Sequence, residues 1–124
     1  MRVVLDTNAL MMPVEIGVRL FDELDRLLGE YEAVVPRAVV DELDDLASGR
    51  GEEAAAARVG GDLARDWCQL LEHDAGYADD AVVEIASTAD YAVTNDRPLR
   101  SRLLDADVPV ISLRGQNKLE LTEP

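Results

Sequence analysis

The chain has 124 residues, enough for one domain that buries roughly two thirds of the surface exposed by its unfolded chain. With 48% hydrophobic and 31% charged residues, its composition is that of a globular protein and excludes an intrinsically disordered one. No apolar stretch reaches the roughly 20 residues of a membrane span, and the first residues lack the basic segment of a signal peptide. We therefore expect a cytoplasmic protein with a single domain over residues 1–124.

The net charge of −14 comes from 26 acidic residues against 11 arginines and one lysine. A surface rich in acids and poor in lysine is typical of a protein that works in molar salt, where its self-repulsion is screened. We therefore expect a halophilic source. The charge also argues against a nucleic-acid partner, because phosphate backbones are usually met by basic patches, although high salt weakens that objection.

Cysteine and histidine chemistry is nearly excluded by the residue counts. Cys68 is the only cysteine and His73 the only histidine, so neither a disulfide within the chain nor a cysteine-rich zinc site can form. We interpret both residues as structural or incidental, since neither has a partner of its own kind. Any catalysis must rest mainly on carboxylates.

The first half of the chain predicts strands that alternate with helices. Residues 2–5 form a short apolar strand, and a helical pattern follows from Pro13 to Gly29. A second strand over residues 33–36 precedes another helix. From Glu52 to Glu72 the sequence is rich in alanine and helix-prone, and we expect Gly60-Gly61 to break or kink this helix into two pieces.

The second half predicts a helix near Asp79, a strand over 91–94, a helix over 98–104 and a last strand over 108–111. The resulting order indicates an α/β fold, a three-layer α/β/α sandwich with a central, mainly parallel sheet of four to five strands. Right-handed crossovers place the carboxyl ends of parallel strands at one edge of the sheet.

Acidic residues from four separate segments are predicted at that edge. Asp6 follows the first strand, and Asp96 follows the strand over 91–94. Glu42 lies on the flank of the helix after the second strand, and Asp79-Asp80 begin the helix of the second half. Taken singly, Asp6 could belong to a turn whose side chains satisfy its own backbone, and Glu42 could lie on a solvated helix face. Asp79 and Asp96 could be simple helix caps.

Taken together, the four acids indicate a cation site. Clustered carboxylates repel one another and raise one another's pKa unless a cation neutralises them. Hard oxygen ligands without histidine or cysteine favour Mg²⁺ or Mn²⁺ over zinc.

Four motifs occur in order along the chain: Asp6-Thr7-Asn8, Val39-Val40-Asp41-Glu42-Leu43, Asp80-Ala81-Val82-Val83-Glu84-Ile85-Ala86 and Thr94-Asn95-Asp96-Arg97. This ordered set resembles the PIN-domain superfamily of metal-dependent ribonucleases, over nearly the whole chain. The resemblance implies a PIN-like sheet with its first strand in the middle. It also implies a catalytic metal site formed by Asp6, Glu42, Asp80 and Asp96, supported by Asn8 and Thr94.

Two positions leave details of this site open. Pro98 stands where many stand-alone PIN toxins have another acid, so the site could hold one ion or two. The family pattern places its third acid directly before an Ala-aliphatic-aliphatic run, which implies Asp80 as the ligand and leaves Asp79 as a supporting helix cap.

The implied reaction is endonucleolytic hydrolysis of RNA at single-stranded or looped sites, with a metal-bound water as the nucleophile. Arg97, Arg100 and Arg102 are the basic residues nearest to Asp96 and could hold flanking phosphates, or could simply pair with surface acids. Further candidates for the same role are Arg114 and Lys118.

Other readings stay open at this point. A PIN fold could serve as a weakly cleaving RNA- or partner-binding module in ribosome assembly, and an aspartate phosphotransfer domain also places an acid after its first strand. A toxin with an antitoxin partner and an rRNA-processing nuclease would use the same acids, although the C-terminal residues resemble archaeal stand-alone and rRNA-processing PIN proteins. The resemblance also implies a homodimer, and we expect Trp67 to pack in the core or an interface.

Overall fold

A computed structural model describes residues 1–124, which form one six-stranded sheet and six helices. The strands are β1 (Arg2–Leu5), β2 (Glu32–Pro36), β3 (Gln69–Leu71), β4 (Tyr91–Val93), β5 (Val110–Arg114) and β6 (Lys118–Thr122). The helices are α1 (Thr7–Glu15), α2 (Leu20–Leu28), α3 (Arg37–Ala47), α4 (Gly51–Trp67), α5 (Ala78–Ala86) and α6 (Arg97–Asp105). None of these helices is both long enough and apolar enough to cross a membrane.

The sheet has the order β3-β2-β1-β4-β5-β6, and only the β5–β6 pair is antiparallel. This confirms the predicted α/β sandwich with its first strand near the middle. The side chains of Val3, Val4 and Leu5 in β1 are completely buried, since helices cover both faces of the sheet. α1 packs against α2, α3 and α4, and α3 also packs against α4. α5 packs against both α3 and α6.

The strand order creates a crevice between β1 and β4 at the carboxyl edge of the sheet. From β1 the chain crosses to β2 on one side, and β4 lies on the other side of β1. Right-handed crossovers in these two directions place α1 and α6 on opposite faces of the sheet. The carboxyl ends of β1 and β4 therefore border a crevice, which is where open α/β sheets bind their ligands.

The predicted helix from Pro13 to Gly29 is wrong in its bounds, because two helices occupy this region. α1 begins at Thr7, where Asp6 caps it by accepting a hydrogen bond from the Ala9 N–H. It contains Pro13 and ends before Gly17, whose φ of 68° continues no right-handed helix.

The predicted break at Gly60-Gly61 is also wrong, because α4 runs through both glycines. Gly60 is where α4 crosses α1, and a Cβ at this position would lie only 2.9 Å from the carbonyl oxygen of Leu10. The glycine therefore serves close helix packing, and it does not end the helix.

The sheet has six strands, more than the four to five predicted, and the two strands that sequence analysis did not locate are both sheet edges. α4 ends at Trp67, so the predicted continuation to Glu72 is replaced by β3. The ring of Trp67 is 64% exposed and stacks on Phe21 with centroids 5.2 Å apart, so it does not lie in the core. The last predicted strand begins at Val110 instead of Val108, and a tight turn joins it to β6.

Candidate active site

Asp6 and Thr94 leave the sheet side by side at its carboxyl edge. Leu5 of β1 pairs with Val93 of β4, which brings the next residue of each strand into contact. Thr94 Oγ1 donates a hydrogen bond of 2.5 Å to Asp6 Oδ2, while Asp6 Oδ1 accepts one of 2.7 Å from the Ala9 N–H. The Asp6 carboxylate is thus buried and fixed through both oxygens.

Asp96 lies beside this pair and is held in a similar way. As the N-cap of α6, its Oδ1 accepts a hydrogen bond of 2.9 Å from the Leu99 N–H. Its own N–H donates to Thr94 Oγ1 at 3.0 Å, so one threonine hydroxyl links both acids. The helix-cap interpretation of Asp96 is therefore correct, whereas Asp6 caps α1 and does not form the isolated turn that was its alternative. Capping is compatible with a site because Asp96 keeps its second oxygen free.

The acids surround a cavity of about 320 Å³ at this edge. Its lining consists of Asp6, Thr7, Asn8, Met11, Glu15, Glu42, Leu46, Glu53, Asp79, Asn95 and Asp96. We call this cavity the acidic pocket. Six of its eleven lining residues are acids and none is basic, so it carries a concentrated negative charge.

Asp79 lines the acidic pocket and Asp80 does not. Both residues lie in the first turn of α5, but successive residues of a helix point in directions about 100° apart. The carboxylate of Asp80 is directed to Arg102, with 2.9 Å between its Oδ1 and the Arg102 Nη2. The N-cap of α5 is Tyr77, and no side chain accepts a capping bond there, so the predicted helix-cap role of Asp79 is wrong.

Burial and mutual repulsion make the acidic pocket unfavourable for ionised carboxylates. Burial raises the pKa of Asp6 to about 7. The hydrogen bonds from Thr94 and the Ala9 N–H lower this pKa, and the negative charges of Asp79 and Asp96 raise it further. The pKa values of Glu42 and Asp79 are also raised, mainly by partial desolvation and then by a neighbouring acid. A bound cation would remove this penalty.

The donors fit a hard cation in type. Carboxylates surround the pocket, and the buried hydroxyl of Thr7 has no hydrogen-bond partner. That hydroxyl lies close enough to Glu42 to oppose the rise in its pKa, although the geometry is not that of a hydrogen bond. As the side chains stand, no three acids, histidines or cysteines converge on one point that could hold a metal ion.

A family model described as a PIN-like domain matches residues 3–116. The chain belongs to this PIN-like family. It is 26% identical over 126 residues to "Ribonuclease VapC4" of Methanocaldococcus jannaschii, covering 97% of this chain and 95% of that relative. Its fold is similar to the "PIN domain endonuclease Utp24", with a TM-score of 0.79 at 22% identity over 99% of this chain and 92% of that one. The PIN-like family and the ribonuclease relative support a nuclease role, while the structural similarity shows the fold.

The sequence alone assigns no role to three polar residues of the acidic pocket, Glu15, Glu53 and Asn95, although Asn95 belongs to one of the four motifs. Asn95 Oδ1 accepts a hydrogen bond of 2.7 Å from the Leu113 N–H, which ties the pocket to β5. Glu15 follows Asn8 and Met11 at helical spacing, so it would have been found had the start of α1 been recognised. Glu53 has no local signal, because it reaches the pocket from the distant first turn of α4.

The arginines predicted to hold RNA differ in their surroundings. Arg102 is engaged by Asp80, and Arg100 donates a hydrogen bond of 3.2 Å to Thr122 Oγ1. Arg97 is exposed and forms no ion pair. Only one of the three is therefore uncommitted beside the acidic pocket of this PIN-like domain.

Cys68 and His73 have the structural character that sequence analysis predicts. Burial raises the pKa of the Cys68 thiol to about 12, which leaves little reactive thiolate. His73 Nε2 accepts a hydrogen bond of 2.9 Å from the Ala38 N–H at the start of α3, while Nδ1 lies 2.8 Å from the Ala75 carbonyl oxygen. The ring thus joins α3 to the segment before α5.

Proposed function

We propose that this protein is a cytoplasmic, metal-dependent endoribonuclease that hydrolyses RNA phosphodiester bonds at the acidic pocket. One observation carries the proposal: distant segments of a PIN-like fold deliver acids to a single pocket that no basic residue lines. Such a pocket repels RNA unless a cation is bound, which is the arrangement expected of metal-assisted phosphodiester hydrolysis.

Asp6, Glu42, Asp79 and Asp96 are the residues that would hold Mg²⁺ or Mn²⁺. A bound ion supplies a water of lowered pKa and neutralises charge on the attacked phosphate. The protein contributes orientation: Thr94 and the Ala9 N–H fix Asp6, and the Leu99 N–H fixes Asp96. No side chain is needed as a nucleophile, and the site is compatible with one ion or two.

We assign the third acid to Asp79, because the Arg102 guanidinium holds Asp80 outside the pocket. Asn8 at the pocket wall and Thr94 between two acids remain the supporting polar groups. Arg97, next to Asp96, is proposed to contact a flanking phosphate.

The substrate is proposed to be single-stranded or looped RNA, whose backbone can bend into a shallow pocket. A toxin-type role with an antitoxin partner is supported by the name of the relative VapC4, while an rRNA-processing role rests on the C-terminal sequence alone. A small antitoxin that copurifies with the protein would support the first role. A homodimer is proposed for either role.

A weakly cleaving RNA-binding module is the second candidate function. It is favoured by the spacing of the carboxylates, of which no three converge on one point. Metal binding without cleavage would support this candidate.

Cleavage of a structured, end-labelled RNA in molar potassium chloride tests the proposal, with Mg²⁺, with Mn²⁺ and with EDTA. We expect internal cuts that require the metal and disappear in Asp6→Asn and Asp96→Asn. Asp62→Asn, at an exposed position of α4, should cut like the wild type. If the wild type makes no cut with either metal, or if the cuts persist in EDTA, the proposed function is wrong.

A further inference from the structure

The β5–β6 hairpin and α2 border an open cavity of about 510 Å³ that three basic side chains line. They are Arg26, Arg114 and Lys118, and we call this cavity the basic pocket. The chain has 12 basic residues and a net charge of −14, so this pocket gathers a quarter of its cations, including its only lysine. It is the electrostatic opposite of the acidic pocket.

The three basic side chains differ in how strongly hydrogen bonds and ion pairs restrain them. Arg26 is fixed by two hydrogen bonds to Glu23, of 3.2 and 2.9 Å, and by one of 2.7 Å to the Leu119 carbonyl oxygen. Arg114 lies 3.8 Å from Glu120, and Lys118 lies 4.0 Å from Glu23. The side chains of Arg114 and Lys118 are 75% and 64% exposed, so both remain accessible to an incoming anion.

The hairpin end of the basic pocket lies at the same edge of the sheet as the acidic pocket. β5 runs parallel to β4 and β1, so its carboxyl end at Arg114 lies on the side where Asp6 follows β1. Asn95, which lines the acidic pocket, accepts a hydrogen bond from Leu113, the residue before Arg114. β1 and β5 are two strand spacings apart, or about 10 Å.

We propose that the basic pocket binds backbone phosphates of the RNA strand to one side of the cleavage point. This inference rests on the proposed nuclease function. RNA that reaches the acidic pocket needs cations for its flanking phosphates, and Arg100 and Arg102 are already engaged by other groups. Arg114 supplies a planar fork and Lys118 a mobile ammonium group, both of which bind phosphate.

The charges around the basic pocket favour an anion despite two carboxylates, Glu120 in its lining and Glu23 beside it. Glu23 is buried and committed to Arg26 and the Leu119 N–H, so it stays in place when a ligand arrives. Glu120 meets Arg114 only at the surface, where a phosphate can displace it. With Glu23 counted, three cations against two carboxylates leave one net positive charge at this site.

RNA binding without metal tests this inference separately from cleavage. The probe is a fluorescent single-stranded RNA of about ten nucleotides, measured by anisotropy in EDTA over a series of potassium chloride concentrations. In Arg114→Gln/Lys118→Gln we expect about tenfold weaker binding and a log–log salt slope smaller by about 1.4, since each lost phosphate contact removes about 0.7. In the wild type, this RNA should shift the backbone amide NMR signals of Gly115, Gln116 and Asn117.

A variant with the same loss of charge elsewhere provides the control. Arg2→Gln/Arg19→Gln removes one cation at the amino end of β1 and one exposed cation before α2. We expect this control to bind the RNA within about twofold of the wild type, because neither residue lines the basic pocket.

Each outcome decides for or against the basic pocket. The inference would be overturned if both double variants lose the same RNA affinity, if the hairpin amide signals do not shift, or if the wild type does not bind the RNA. This holds even if the wild type cleaves RNA with Mn²⁺. Shifts caused by polyglutamate and not by RNA would likewise overturn it, in favour of an acidic protein partner. Hairpin-dependent RNA binding without any metal-dependent cleavage would uphold the pocket and refute the nuclease proposal.

Discussion

At the residue scale, Asp6 has two opposing effects on stability: its hydrogen bond stabilises the start of α1, and the burial of its charge destabilises the folded protein. Its carboxylate caps α1, yet it is only 4% exposed and has acids for neighbours. Desolvating an ionised carboxylate is costly without a cation, which explains why its pKa rises to about 7 despite two hydrogen bonds. The ionised carboxylate of Asp6 therefore lowers the stability of the folded protein, and a bound cation can restore that stability.

Asp6→Asn should stabilise the metal-free protein at pH 8 by about 2 kcal/mol. The folded-state pKa of Asp6 lies above its unfolded value, so the wild type loses stability as the pH rises from about 4 to about 7. Asparagine carries no charge and can still accept the Ala9 N–H bond. Urea unfolding in EDTA from pH 4 to pH 8 measures both effects. A variant less stable than the wild type at pH 8 would contradict this account of Asp6.

Mutation can distinguish the roles of the two acids of α5, Asp79 and Asp80. We expect Asp79→Asn to lower kcat/KM for RNA cleavage by about a hundredfold, because it removes a carboxylate of the acidic pocket. Asp80→Asn should stay within about threefold, since Asp80 loses only a half-exposed ion pair with Arg102. Single-turnover cleavage with Mn²⁺ compares the two variants. The reverse order of effects would make Asp80 the ligand, as the family pattern implies.

At the element scale, the crossing of α1 and α4 places one wall of the acidic pocket. Gly60→Ala should lower the free energy of unfolding by about 2 kcal/mol, because its Cβ would meet the Leu10 carbonyl oxygen at 2.9 Å. Gly61→Ala is the matched control. Its Cβ would meet the movable end of Arg65 at 3.0 Å, so helix propensity should make it neutral or up to about 1 kcal/mol stabilising. Urea unfolding measures both, and equal effects would refute the close-packing explanation.

β6 is an edge strand of the sheet, and an ion pair of α2, Glu23 with Arg26, forms hydrogen bonds to its backbone. Glu23 accepts a hydrogen bond from the Leu119 N–H while Arg26 donates to the Leu119 carbonyl oxygen, so the pair satisfies backbone groups at a sheet edge. The hydrogen bonds from Arg26 and Leu119 lower the pKa of Glu23 to about 2. An α2 side chain thus fixes the hairpin that forms the basic pocket.

Glu23→Gln should lower the free energy of unfolding at pH 7 by about 2 kcal/mol. The folded-state pKa of Glu23 lies below its unfolded value, so its contribution is complete above about pH 4.5 and disappears toward pH 2. Thermal unfolding between pH 2 and pH 7 should therefore show the two proteins converging in acid. Asp22→Asn, at an exposed neighbouring position, should change stability by less than about 0.5 kcal/mol. A difference between Glu23→Gln and wild type that is constant with pH would contradict this role.

At the scale of the whole molecule, sequence predicted the α/β class and the edge where the acids meet. Apolar strands such as Val3-Val4-Leu5 are recognisable because burial on both faces leaves a continuous hydrophobic run. The edge strands β3 and β6 were missed because their side chains are largely half-buried or exposed, and their pairing partners are distant or joined by a turn.

The remaining details depend on distances that local patterns do not contain. Gly60 resembles a helix breaker until the carbonyl of Leu10 is placed against it. The choice between Asp79 and Asp80 depends on the rotation of α5 and on the position of Arg102 in another helix. Glu53 reaches the acidic pocket from the start of α4, far from every motif.

The central claim, that the acidic pocket binds a divalent cation, is tested most directly by calorimetric titration of Mn²⁺ into the metal-free protein. Molar potassium chloride at pH 8 screens weak attraction to the many surface acids while Asp6 is ionised. We predict saturable binding to the wild type and to Asp62→Asn, and its loss in Asp6→Asn. Absence of Mn²⁺ binding by the wild type, or undiminished binding by Asp6→Asn, would contradict the account.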